Sequence, residues 1–177
     1  MTVRSRAITI IVASLAIVAV LAGVGFVAGL RLNLTPSYPL GLWRIEPLTR
    51  HVTAGDRIFI CPPRGPTFEL ARGRGYFGHG LCPGWLSPLI KTVRAVPGQH
   101  VLITDEVIID GVHVPHSYVR PADGQGRVLT HGAGGIVPSG QLFLLSEYAG
   151  SYDSRYFGPI PAAGVLGLAR PLLVLAP

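Results

Sequence analysis

Asn33-Leu34-Thr35-Pro36-Ser37-Tyr38-Pro39-Leu40-Gly41-Leu42-Trp43 begins three residues after a long apolar segment ends. Pro36 and Pro39 fix φ, lack an N–H, and push the residue before each of them out of the α region. A regular helix therefore cannot run through Ser37, and the pattern changes here from helix to turns. Thr35 and Ser37 set two hydroxyls two residues apart, each beside a proline. A hydroxyl is a poor nucleophile until a base takes its proton. The candidate bases are the single lysine, Lys91, and six histidines: His51, His79, His100, His113, His116 and His131.

Upstream, Arg4 and Arg6 precede Ala7–Leu30, a run of 24 uncharged residues closed by Arg31. As a helix this run would be about 36 Å long, enough to span a bilayer with some tilt. The flanking arginines predict an N-terminus inside and the remaining chain in the periplasm or outside the cell. A cleaved signal peptide is the competing reading, with Val20-Leu21-Ala22 as its small-residue site. The apolar run continues well past that site, which favours a retained anchor. Gly23, Gly25 and Gly29 either support helix packing or simply dilute the apolar run. The expected division is residues 1–31 as cytoplasmic tip and anchor and 32–177 as the functional domain.

Downstream, the 23 glycines and 16 prolines suit a turn-rich β domain better than a helical one. Arg57–Ile60, Ile90–Val96, Val101–Thr104, Val107–Ile109, Val112–Val114, Gln141–Leu145 and Gly164–Leu175 read as strands, with Asp110-Gly111 as a hairpin turn. Residues 62–88 read as a Gly/Pro-rich loop. Gly73, Gly75 and Gly78 match G-x-G-x-x-G, but that pattern binds dinucleotides only between a strand and a helix, and no helical pattern follows it. The expected fold class is mainly β, behind one N-terminal transmembrane helix.

The formal charge of +6 comes from arginines scattered along the chain rather than striped on one face. Without a recognisable binding module, the charge does not imply a nucleic-acid partner. Cys61 and Cys82 can bridge in an oxidising compartment, closing a loop of about 20 residues worth roughly 3 kcal/mol. Otherwise they are two buried thiols. His113 and His116 have a spacing that metal sites sometimes use. With no further ligand nearby in the sequence, they read as exposed hairpin residues, and no metal or cofactor is expected.

Lys91 lies between Ile90 and Val93 on a presumed strand. A lone lysine there ordinarily faces water. A neutral amine near pH 7 costs roughly 4–5 kcal/mol from the reference pKa, and burial in an apolar site can supply that shift. None of the histidines sits in an obvious triad motif, although sequence order alone does not exclude them.

Several motifs resemble one family. Lys91-Thr92-Val93-Arg94-Ala95-Val96-Pro97-Gly98 resembles the lysine box of the type I signal peptidases. Ser151-Tyr152-Asp153-Ser154-Arg155-Tyr156-Phe157-Gly158 resembles their C-terminal box, usually S-x-D-S-R-Y-W-G. Val137-Pro138-x-Gly140 and Gly164-Val165-Leu166-Gly167 fit the same order. The serine box departs from the usual S-M-x-P, because Pro39 stands two residues after Ser37. The form N-x-T-x-S-x-P-x-G-x-W is similar to the TraF-type peptidases of conjugative transfer systems. Ser146-Glu147-Tyr148 stands where signal peptidases usually carry G-D-N, which argues against a housekeeping signal peptidase.

The resemblance implies a signal-peptidase-like β domain and a Ser/Lys dyad. Ser37 would attack the scissile carbonyl and Lys91 would act as general base. The Ser37 N–H and the Thr35 hydroxyl would form the oxyanion hole, and Ser151 would orient the Lys91 amine. Asp153 has a catalytic part in the conjugative subgroup. In the wider family the matching acid pairs with the arginine two residues on, here Arg155. The second role is physically preferable, because a carboxylate beside Lys91 would raise its pKa. The implied function is a serine endopeptidase of the bacterial inner membrane with its catalytic domain in the periplasm. It would process a membrane-bound pilin precursor, with cyclisation as a possible outcome. The alternatives are a general signal peptidase acting on secreted proteins and a non-catalytic β component of a secretion or pilus assembly. The lipid bilayer and the precursor are the expected partners.

Overall fold

The computed structural model describes residues 3–132 and 134–175. Helix α1 (Val3–Val27) is apolar on every side and buries none of its residues. Its length and an 18-residue stretch of mean hydropathy 2.8 are enough to cross a membrane. It stops before Leu30, the end expected from hydropathy alone, and Gly29 gives the reason. That residue has φ +83°, and a Cβ on it would lie 2.7 Å from the Ile45 carbonyl oxygen. Only glycine combines this left-handed backbone with so close an approach. The Ile45 N–H then donates to Gly29 O at 2.8 Å, so the helix end is fastened to the β domain.

The chain continues as β1 (Leu30–Asn33) and β2 (Gly41–Glu46), paired antiparallel with Asn33 opposite Gly41. The loop between them carries Thr35 and Ser37. Next come β3 (Arg57–Ile60), α2 (Pro66–Gly73), β4 (His79–Cys82), β5 (Leu89–Ala95), β6 (His100–Ile103), β7 (Val107–Ile109) and β8 (Val112–His113). The remaining elements are β9 (Gly134–Ile136), β10 (Gln141–Leu145), α3 (Ser154–Phe157), β11 (Ile160–Pro161) and β12 (Val165–Val174).

Among the described residues, the strands form a 7-stranded sheet ordered β1-β2-β12-β3-β5-β10-β11 and a 4-stranded sheet ordered β8-β7-β6-β9. Every pairing between named strands is antiparallel. The mainly β architecture expected from the sequence is the one observed.

Side-chain alternation along β5 explains where the core lies. Leu89 and Val93 join one apolar cluster with Ile58, Ile60 and Leu144. Ile90 points the other way, into a smaller cluster with Trp43, Phe59 and Ala169, against which Tyr38 packs. Ala95 belongs to a third cluster, in which Val101, Ile103, Val107 and Ile109 of the smaller sheet meet Phe143, Leu145 and Tyr156. The smaller sheet is thus stapled to one end of the larger by shared apolar burial. Lys91 lies on β5 opposite Ile58 of β3.

The 62–88 segment differs from its reading as a loop. Pro66 opens α2, a first-turn position where its missing N–H costs nothing. Phe68 and Ala71, three residues apart, face the core. The helix was hidden by its shortness and by the glycines that follow. The G-x-G-x-x-G pattern begins where α2 ends, with Gly75 turning at φ +75°. Cys61 and Cys82 are bridged, with Cα atoms 5.3 Å apart, so the segment is closed at its base.

Candidate active site

The loop that carries Thr35 and Ser37 is organised by a buried amide. Asn33 Nδ2 donates to the carbonyls of Thr35 (3.0 Å), Tyr38 (2.9 Å) and Pro39 (3.1 Å). Its Oδ1 accepts from the Thr35 N–H (3.2 Å) and the Thr35 hydroxyl (2.8 Å). One side chain thus satisfies backbone groups that two prolines prevent from bonding among themselves. Trp43 Nε1 donates to Pro39 O at 3.0 Å. The Tyr38 hydroxyl lies 2.6 Å from Thr92 Oγ1 on β5. From the far side, Ser146 Oγ donates to the Ser37 carbonyl at 2.6 Å. Nothing among the described residues accepts from the Ser37 N–H.

Lys91 is 3% exposed. Burial pulls its pKa down from 10.5 to about 8. The negative charge of Asp153 pulls the other way and the positive charge of Arg155 adds to the lowering. The Lys91 amine donates to Ser151 Oγ at 2.5 Å. The Ser37 hydroxyl donates to the same Ser151 oxygen at 3.3 Å. Ser37 and Lys91 therefore meet through the Ser151 hydroxyl rather than by a direct hydrogen bond in this structure.

Behind them, the Asp153 carboxylate forms a forked pair with Arg155, Oδ1 to Nε and Oδ2 to Nη2, both 2.8 Å. Both side chains are wholly buried. Asp153 also accepts from the backbone N–H of Ser146 (3.0 Å) and of Arg155 (3.3 Å), so it caps α3. The Arg155 guanidinium donates further to the carbonyls of Tyr118, Ser146, Tyr148 and Ser151. Ser154 Oγ accepts from the Leu144 N–H at 2.9 Å, pinning α3 to β10. This cluster holds the backbone of Ser151 on one side and of Ser146 on the other, and through them both hydroxyl partners of Ser37.

Thr35, Ser37 and Lys91 line one cleft of about 320 Å³, with Phe77 and Gly78 after α2 and Pro88 before β5 as further walls. The cleft offers a nucleophilic oxygen, a buried amine whose neutral form is accessible near neutral pH, and an unpartnered backbone donor. That is the equipment of acyl transfer.

Known proteins bear on what such a cleft serves. The profile of the family described as signal peptidase, peptidase S26, matches residues 3–173. The chain belongs to the signal peptidase family. Among members of that family, it is 54% identical over 172 residues to a conjugal transfer protein TraF of Agrobacterium tumefaciens, covering 97% of this chain and 98% of that protein. It is 56% identical over 153 residues to the conjugal transfer protein TraF of Agrobacterium fabrum, covering 86% and 87%. A plasmid transfer protein TraF of Escherichia coli is 36% identical over 158 residues, covering 86% and 88%. A solved signal peptidase I from Enterococcus faecalis aligns with a TM-score of 0.41 and 21% identity, over 67% of this chain and 97% of that one.

The family motifs drew attention to Thr35, Ser37, Lys91, Ser151, Asp153 and Arg155, and the structure brings all six into one neighbourhood. His113 instead meets Glu106 at 2.7 Å in the exposed hairpin of the smaller sheet. Two residues escaped sequence reasoning. Asn33 sits in the serine box, where nothing in the sequence assigns it a role. Ser146 was noticed only as a departure from glycine, and that departure is what supplies a hydroxyl to the Ser37 carbonyl.

Proposed function

We propose that this protein is a membrane-anchored serine endopeptidase that processes a pilin precursor during conjugative transfer. One observation carries the reading: Ser151 receives a hydrogen bond from both the Ser37 hydroxyl and the buried Lys91 amine. The names of its relatives supply the conjugative setting, and α1 supplies the anchor, with the catalytic domain in the periplasm.

In the acylation step, Ser37 Oγ attacks the scissile carbonyl while its proton passes to neutral Lys91, directly on turning or through the Ser151 hydroxyl. Such bonds are commonly long without substrate and tighten in the reacting complex. The oxyanion takes the free Ser37 N–H. It also takes the Thr35 hydroxyl, which exchanges its bond to Asn33 for one to the oxyanion. Lys91 then returns the proton to the departing amine, leaving an acyl-enzyme ester at Ser37. Deacylation repeats the sequence with water, or with an amine terminus, which would give a cyclised product. Asp153 has both oxygens engaged by Arg155 and backbone N–H groups, so it acts here as a positioning residue rather than a reacting one.

Replacing Ser37 by Ala in cells carrying the transfer system tests this. A pilin precursor should accumulate while secreted proteins mature normally. General accumulation of unprocessed secreted proteins would instead make this a housekeeping signal peptidase. No accumulation with either Ser37→Ala or Lys91→Ala would leave the non-catalytic reading standing.

A further inference from the structure

A second cleft, of about 300 Å³, opens beside the catalytic one. The two share Tyr76, Gly150 and Tyr152 in their walls. Ser151 also lines the second cleft, so this cleft begins at the residue that accepts from both Ser37 and Lys91. Its walls carry three arginines, Arg74, Arg120 and Arg127, against one acid, Asp123.

That acid is already saturated. Asp123 Oδ2 accepts from Arg127 Nε and from the Tyr76 hydroxyl, both at 2.6 Å. Its Oδ1 accepts from the backbone N–H groups of Gln125 and Arg127, both at 2.9 Å. Arg74 meets only neutral acceptors, Val128 O at 2.9 Å and the Tyr76 hydroxyl at 3.4 Å. The Arg120 guanidinium has no hydrogen-bond or ion-pair partner among the described residues, while its backbone N–H is fixed to the Tyr156 hydroxyl at 3.1 Å. Two guanidinium groups without a carboxylate therefore border one recess. Its aromatic walls are held by ring contacts, Tyr76 tilted against Tyr152 at 4.7 Å and Tyr152 stacked on Tyr156 at 5.4 Å. A rigid recess with two uncompensated donor forks is shaped for a planar anion.

We propose that this cleft is a substrate subsite for a carboxylate, recognised by Arg120 and Arg74. The carboxylate is an acidic side chain or the chain terminus of the precursor, a few residues from the scissile bond. An extended peptide advances about 3.3 Å per residue, so a short segment crosses from the catalytic cleft past Tyr152 into this one. The inference rests on the peptidase reading, in which cleavage follows a small residue such as Ala, and adds a recognition element away from the cleaved bond.

The test uses the full-length protein in nanodiscs of zwitterionic lipid. Peptides with a cleavable small-residue site carry Glu or Gln in turn at each of the four positions on either side. A further pair ends in a free acid or an amide. The expected result is a preference of about fivefold to tenfold in kcat/KM for the acid at one position, carried by KM. The preference shrinks at about 0.5 M salt and falls below about twofold in the Arg74→Gln/Arg120→Gln double variant. The position at which it appears tells a side chain from a terminus. Because each preference is a ratio within one preparation, partial misfolding of the variant does not imitate its loss. Indifference to the acid at every position would overturn the proposal, as would a preference that survives in the double variant. Loss of binding to anionic vesicles with an unchanged peptide preference would reassign the cleft to lipid. Anisotropy of the same peptides on the Ser37→Ala protein separates the two readings. Acid-dependent binding without cleavage by the unsubstituted protein would sink the peptidase reading alone, whereas cleavage and binding both blind to the acid would sink the subsite alone.

Discussion

Lys91 and Arg155 are both buried cations, 3% and 0% exposed, yet their surroundings treat them in opposite ways. Arg155 is given a forked carboxylate and four carbonyl oxygens. The hydrogen bonds and charge of Asp153 outweigh the cost of its burial, so its pKa is raised. Lys91 is given a serine hydroxyl and near-complete burial, and its pKa falls to about 8. The difference separates a permanent charge, which organises backbone, from a titratable one, which can move a proton. It also accounts for Asp153, whose charge reaches Lys91, being turned onto the arginine: a carboxylate bonded to Lys91 would hold it protonated.

The comparison breaks most completely if the two cations are made alike. Lys91→Arg puts a group that stays protonated at the base position. We expect turnover to fall by about 10⁴-fold or more, to the level of Ser37→Ala. Cleavage near the wild-type rate in a single-turnover assay would rule out the lysine base.

Removing the carboxylate tests the other half. Asp153→Asn leaves Arg155 buried with a neutral partner, and breaking such a pair costs about 3–5 kcal/mol, read as a drop in thermal midpoint in detergent. The surviving enzyme should also show a lower Lys91 pKa, because the attraction of Asp153 is gone while the repulsion of Arg155 remains. An alkaline displacement of the rate profile, or none, would contradict this account.

Titration sharpens the same contrast. In the wild type, kcat/KM should rise through a pH of about 8 as Lys91 loses its proton. For stability, the folded-state pKa lies below the unfolded one, so between about 8 and 10.5 the unfolded chain binds more protons and stability rises with pH. Below about 8 the full burial cost is present, and the gap from 10.5 is worth about 3 kcal/mol. Lys91→Met should therefore stabilise the fold by up to that amount at pH 7, less the lost Ser151 bond, with the gain fading by pH 10.5. A gain independent of pH, measured by denaturant unfolding, would point to packing instead.

How legible each part was follows from the range of the interactions that make it. Arg57–Ile60, Val107–Ile109 and Gln141–Leu145 are apolar runs bounded by turn residues, and each coincides with an observed strand. The final strand, read as Gly164–Leu175, is Val165–Val174. Strand β1 carries no signal of its own, because Leu30 continues the apolar run and the three residues after it are too few to show alternation; the close approach of Gly29 to Ile45 marks where the helix gives way. Helix α2 is one face of two turns and has too few apolar positions for periodicity to register. The motif residues Ser37, Lys91 and Ser151 were legible through resemblance. Periodicity alone placed Lys91 on a strand without saying that it was buried. The loop-holding bonds of Asn33 and Ser146 were not legible, since a side chain's choice of backbone acceptor depends on how distant segments meet.

Ser146 supplies the smallest effect and the most local one. Its hydroxyl donates to the Ser37 carbonyl, its oxygen accepts from the Tyr148 N–H at 3.2 Å, and its own N–H is held by Asp153. Fixing the Ser37 carbonyl fixes the peptide plane that follows the nucleophile, and with it the direction of Oγ toward Ser151. Ser146→Ala removes that bond while leaving the Asp153 contact, which uses only backbone. A misplaced nucleophile costs rate more than affinity, so kcat should fall by about tenfold with KM little changed. The pH profile should stay where it was, because Lys91 keeps its surroundings. Ser146→Thr retains the donor and should recover most of the rate. If Ser146→Ala shifts the pH profile instead, the residue acts on the base and not on the nucleophile, and the two sides of the site are coupled more tightly than their separate hydrogen-bond sets indicate.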